Sequence, residues 1–153
     1  MSQSVLSPTT VIAELQRLAA ERAGRLQLLQ SAAAKIREAG EPYTGVYMYM
    51  LNDDSLVLEA FDGRPTEHTV IPVGSGLCGR AVAENSNINV GDVGQSEDYI
   101  ACSVETKSEL IVLIRRDGQI LGQIDVDSDT VNGFDEVEEA AVQKVADCLA
   151  SII

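Results

Sequence analysis

The stretch Tyr99–Ser128, YIACSVETKSELIVLIRRDGQILGQIDVDS, decides how the rest of the chain is read. ELIVLIR (109–115) and QILGQIDVDS (119–128) are apolar, β-branched runs on either side of Asp117-Gly118, the pattern of a β-hairpin. A three-residue loop, Arg116-Asp117-Gly118 with glycine in the left-handed position, sets Glu109 opposite Asp125. Strand side chains alternate between faces, so Asp125 and Asp127 share one. The three acids then gather at one end of the hairpin, close in sequence to Cys102. A two-residue loop instead turns Glu109 to the other face, so the cluster depends on the turn.

Upstream, TGVYMYML (44–51) alternates Val46, Met48 and Met50 against Tyr47, Tyr49 and Leu51, and SLVLEAF (55–61) returns as its partner strand. EHTVIPV (67–73) is a third strand and INV (88–90) a fourth. Between them GSGLCGRAVAEN (74–85) sets Cys78 among glycines, with a short helix from Ala81 to Asn85. A cysteine near a helix N-terminus either has a lowered pKa, because aligned N–H groups favour the thiolate, or is simply a small buried residue. The segment is not a phosphate loop, since no Lys-Ser/Thr pair follows the last glycine.

The N-terminal segment, residues 1–40, reads as one helix ahead of a domain at 41–153. Ser7 is its N-cap and Pro8 its first residue. Its stripe is Val11, Leu15, Leu18, Leu26, Leu29, Ala33 and Ile36, interrupted by Arg22. Such a helix spans about 45 Å, long enough to project and pair with a second copy. A last helix runs from Phe134 to Ile152, with Asp135 and Glu138 spaced as a capping box and Cys148 on its apolar stripe. Helices at both chain ends around antiparallel strands predict an α+β fold. The terminal helices pack together on one sheet face.

Composition narrows the function classes. The chain has 153 residues, 45% of them hydrophobic, with 24 acids against 11 bases and a formal net charge of −13. A surface of that sign repels phosphate backbones and anionic lipid, which argues against nucleic-acid and membrane partners. No apolar run approaches the roughly 18 residues that cross a bilayer, and the N-terminus lacks the pattern of a signal peptide, so a cytoplasmic location is expected. Three cysteines and one histidine, irregularly spaced, do not make a structural zinc set, and no metal or other cofactor is expected.

A thiol beside clustered carboxylates suits attack on a soft electrophile such as a sulfoxide sulfur, a thioester or a disulfide. A protonated acid can donate to the departing oxygen. Two acids held together cannot both ionise cheaply, so one keeps its proton near neutral pH. The others can hold an ammonium group. A small amino acid carrying an oxidised sulfur would fit. His68, the one histidine, shows no proximity to Cys102 that would make a hydrolase pair.

IPVGSGLCGRAV, GDV, YIACSVETKSELIVLI, DGQILGQIDVDSD and GFDEVE together resemble a GAF domain, and within that family the free methionine-(R)-sulfoxide reductases. IACxxxxxSE followed by GxxDxDS is the more specific part. The resemblance implies that Cys102 is the nucleophile and passes through a sulfenic acid to a disulfide that thioredoxin reduces. It implies that Glu109, Asp125 and Asp127 bind substrate and protonate the sulfoxide oxygen, and that Cys78 matches the cysteine of the family's GxCG element. His68 stands where many members carry a resolving cysteine. Tyr99 replaces a histidine, Ser103 an aspartate, and Tyr43 supplies the aromatic expected near the first strand. Recycling would then use Cys78 or an outside thiol. A non-catalytic GAF module that binds a small molecule or relays a signal through its terminal helices is the alternative, with a purely dimerising scaffold as a third reading, and a homodimer is expected in either case.

Overall fold

The N-terminal helix is two helices. In a computed structural model that describes residues 3–95 and 105–153, α1 (Pro8–Ala20) and α2 (Arg25–Arg37) are separated by a break. Ser7 caps α1 as expected. At its end Arg22 is left-handed, with φ 63°, and the amides of Arg22 and Ala23 bond to the carbonyls of Ala19 and Leu18. This is a Schellman termination with arginine at the position glycine usually takes. The periodicity restarts out of phase, so Leu26, expected on the buried stripe, is 62% exposed while Leu28, Leu29, Ala32, Ala33 and Ile36 are buried. The expected 45 Å projection is therefore absent, and both helices pack back on the domain.

Among the described residues six antiparallel strands follow: β1 (Gly45–Asn52), β2 (Ser55–Asp62), β3 (Val70–Pro72), β4 (Ile88–Val90), β5 (Ser108–Arg116) and β6 (Gln119–Ser128). Their order in the sheet is β3-β2-β1-β6-β5-β4. The third strand is shorter than expected. The short helix α3 (Gly76–Glu84) begins five residues before the expected Ala81 and so includes Cys78. The last helix, α4, spans Glu136–Ile152.

Alternation divides the core as the sequence indicates. Val46, Met48, Met50, Leu110, Val112, Ile114, Ile124 and Val126 face α1, α2 and α4. Tyr47, Tyr49, Ile111 and Leu113 face the opposite side, where α3 packs. Cys148 lies half-buried against the helix-side core.

Asp135 caps α4 by accepting from the Glu138 amide at 2.9 Å, but Glu138 does not reach back to complete the box. It is buried and instead accepts from the amides of Val5 and Leu6 at 2.7 and 3.2 Å and from the Tyr43 hydroxyl at 2.7 Å. One carboxylate thus ties the N-terminal segment, the entry to β1 and α4 together. Glu138→Ala would strand two amides and a phenol in the interior. It is expected to lower the unfolding free energy by about 2–4 kcal/mol in urea titration, with Glu138→Gln losing less.

Candidate active site

The hairpin that carries the acids closes by a route the sequence did not indicate. Arg116 pairs with Gln119, so the loop is the two-residue Asp117-Gly118, both with positive φ (54° and 78°). Taken alone, that turn would rotate Glu109 away from the aspartates. A bulge between Ile114 and Arg115 opposes Ile114 to Gly122 and Arg115 to Ile120, leaving Leu121 as an extra residue in β6. Beyond it Glu109 pairs with Asp127, and Ile111 with Asp125. The expected Glu109–Asp125 register is thus corrected, while the shared face of all three acids is restored by the bulge.

Helix α3 lies over this face. Gly74 is left-handed, with φ 93°, and a Cβ on Gly79 would come within 2.5 Å of the Pro72 carbonyl. The glycines around Cys78 therefore let the chain turn sharply and seat α3 directly on β3. Gln123 reaches from β6 to the Cys78 carbonyl at 3.1 Å and fixes the helix to the sheet. The Cys78 thiol donates to Asp125 Oδ2 at 3.4 Å and lies 4.0 Å from Glu109 Oε2.

The electrostatics follow from burial. Glu109, Asp125 and Asp127 are 4%, 2% and 4% exposed. Desolvation raises the pKa of Asp125, partly offset by hydrogen bonds with Glu109 and Cys78. A hydrogen bond between two carboxyl groups needs one proton shared by them. Asp127 is raised well above the usual carboxylate range by burial and then by Asp125 and Asp129, with Arg64 acting the other way. Burial and the adjacent acids also push the Cys78 thiol up. The lowered pKa expected from its place in α3 is therefore corrected, because desolvation and negative neighbours outweigh the helix N-terminus.

A pocket opens here with an empty volume of about 290 Å³, bounded by Tyr49, His68, Ile71, the start of α3, Cys78, Glu109 and Asp125. Asp125 Oδ1 is buried and has no hydrogen-bond partner among the described residues. One ligand atom from each of Cys78, Glu109 and Asp125 lies within 4.8 Å of the others, so these three groups are also close enough to converge on a cation.

The other site residues are distributed as follows. Asp127 continues the acid face next to Asp125, opposite Gly45 of β1. Tyr43 does not join the pocket. It stacks obliquely on Phe134 at 5.4 Å in the helix-side core and donates to Glu138, which corrects its expected place in the substrate site. Cys102 and Tyr99 lie outside the described residues. Gln123 and Tyr49 were missed as site residues. Gln123 carried a signal, a polar residue two positions before Asp125 on the same strand face.

A curled antiparallel sheet, helices from both chain ends on one face and a pocket under a short helix on the other, with Glu109 and Asp125 in its lining, define an α+β domain with a candidate ligand site. The GAF domain model matches residues 22–153, and the chain belongs to that family. The free methionine-R-sulfoxide reductase of Escherichia coli (strain K12) is 30% identical over 152 residues, covering 97% of this chain and 92% of the relative. The structure of the free methionine-R-sulfoxide reductase of Neisseria meningitidis in complex with its substrate is 31% identical, covers 99% of this chain and 90% of that one, and superposes with a TM-score of 0.87. Protein YtsP of Bacillus subtilis (strain 168) is 37% identical over 107 residues, which are 70% of this chain and 65% of the relative's length. Among the described residues no helix is long and apolar enough to cross a membrane.

Proposed function

We propose that this chain reduces free methionine-(R)-sulfoxide to methionine. The observation that carries the reading is the buried Glu109–Asp125–Asp127 face beneath the pocket, with burial raising the pKa of both aspartates. Such a cluster supplies a proton near neutral pH and negative charge for an ammonium group in one place. A peptide-bound methionine has no α-ammonium, so the acids select the free amino acid. Similarity to two free methionine-R-sulfoxide reductases, one solved with its substrate, supports the same chemistry.

In this reading Cys102 Sγ attacks the sulfoxide sulfur while a carboxyl group of the cluster protonates the oxygen. The attack forms a bond between Cys102 Sγ and the substrate sulfur as the S–O bond breaks and the oxygen, protonated by the cluster and the thiol proton, leaves as water. A water molecule then adds to Sγ, the S–S bond breaks, methionine departs and the proton released returns to the carboxylates, leaving Cys102 as a sulfenic acid. An outside thiol condenses with it, releasing water and forming a mixed disulfide, and a second thiol of a thioredoxin-type reductant frees Cys102. Cys78 stays protonated and holds Asp125 by donating to it. Methionine release from free methionine-(R)-sulfoxide and a thiol reductant tests the proposal. Wild type is expected to turn over while Cys102→Ser shows only the reagent background, and equal yields from the two would refute it.

A further inference from the structure

We infer that His68 is the specificity residue that recognises the carboxylate of a free amino acid, acting with the first turn of α3. The inference rests on the proposed substrate class and goes beyond it by assigning the anionic end. A zwitterion entering a pocket floored by acids gains at its ammonium and is repelled at its carboxylate, unless positive charge meets that end. Among the described pocket-lining residues, His68 alone has a basic side chain that can donate a hydrogen bond to a carboxylate. Its backbone is fixed from both directions. The Tyr49 hydroxyl donates to its carbonyl at 2.7 Å, and its own amide donates to Thr66 Oγ1 at 3.1 Å. The half-buried residue therefore has a defined place on the wall.

Ser75, Gly76 and Leu77 line the same pocket at the N-terminus of the nine-residue α3. The amides of a first helical turn carry partial positive charge and favour an anion. Asp125, with its buried and unpartnered Oδ1 among the described residues, provides the complementary end in the same cavity. The pocket is thus dipolar in the sense an α-amino acid requires, with acids on the sheet floor and His68 with the α3 N-terminus on the wall.

The test compares wild type, His68→Ala and His68→Lys on free methionine sulfoxide and on its carboxamide, which keeps the ammonium and sulfoxide but lacks the carboxylate. Losing a hydrogen bond to a charged group is expected to raise the KM of His68→Ala for the free acid about tenfold or more, with kcat within about twofold. The carboxamide should bind wild type and His68→Ala alike, and His68→Lys should recover much of the loss. A KM unchanged in His68→Ala, or raised equally for both substrates, overturns the inference while leaving the reductase reading intact. Calorimetric titration of methionine sulfoxide reads the same comparison without turnover. An enzyme that binds in a His68-dependent manner but releases no methionine upholds the inference and sinks the reductase reading. Absence of binding to wild type overturns both.

Discussion

Asp125→Asn is expected to cut kcat/KM by roughly 30-fold to several thousand-fold, the range for losing the carboxyl group that the proposed substrate's ammonium or sulfoxide oxygen would meet, about 2–5 kcal/mol. The same substitution is expected to stabilise the protein at neutral pH. Asp125 is held at 2% exposure and Asp127 at 4%, and burial raises both pKa values above those of the unfolded chain. A group whose folded pKa is raised contributes full stability below its unfolded value and loses that contribution as pH rises through the folded one. Wild type should therefore weaken from about pH 4 upward. Asp125→Asn removes one titrating group, flattens the profile and gains stability at pH 7, a trade-off often seen at active sites. Urea unfolding at pH 5 and 7.5 measures it, and the gap between variant and wild type should widen with pH. A variant destabilised equally at both values would show that the hydrogen bonds of Asp125 with Cys78 and Glu109 outweigh its desolvation.

The sheet was legible because its evidence is periodic. Met48 and Met50 against Tyr47 and Tyr49, and the alternation through β5 and β6, follow from side chains pointing to opposite faces, a rule that needs no tertiary context. The split of the N-terminal helix was not legible. Arg22 takes the left-handed place that glycine usually marks, and the apolar spacing on either side looks continuous until the phase shift buries Leu28 instead of Leu26. Part of the site was legible for a related reason. The acids share a face by parity, but parity is counted through a turn and a bulge, and Leu121 looks like any other strand residue in the sequence. Tyr43 failed for a different cause. Its place before the first strand says nothing about which side of the sheet it enters, and Glu138 on α4, far along the chain, draws its hydroxyl to the helix side.

Gly122→Val is expected to produce the largest stability loss, because this glycine stands where the register of the site is set. Gly122 pairs with Met50 on one side and Ile114 on the other, directly after the extra residue Leu121. A Cβ at this position would lie 2.4 Å from the Tyr49 carbonyl oxygen and 2.9 Å from Met50 Cα. Both are backbone atoms that cannot rotate away, so β1 and β6 must separate in the middle of the sheet. The expected destabilisation is about 3 kcal/mol or more, a large share of the 5–15 kcal/mol typical of a domain, and a fall in Tm of roughly 6–12 °C. Activity should fall even in the folded fraction. Asp125 and Asp127 face Tyr47 and Gly45 across that strand pair, and their positions depend on its closeness. Thermal unfolding of Gly122→Ala and Gly122→Val checks the mechanism by its grading, alanine already costly and valine worse. Melting of the alanine variant within a degree of wild type would rule the close approach out. The glycine three residues before Asp125 is a structural requirement of the acid face. It lets the bulged strand lie tight enough against β1 for the acids to share one desolvated wall.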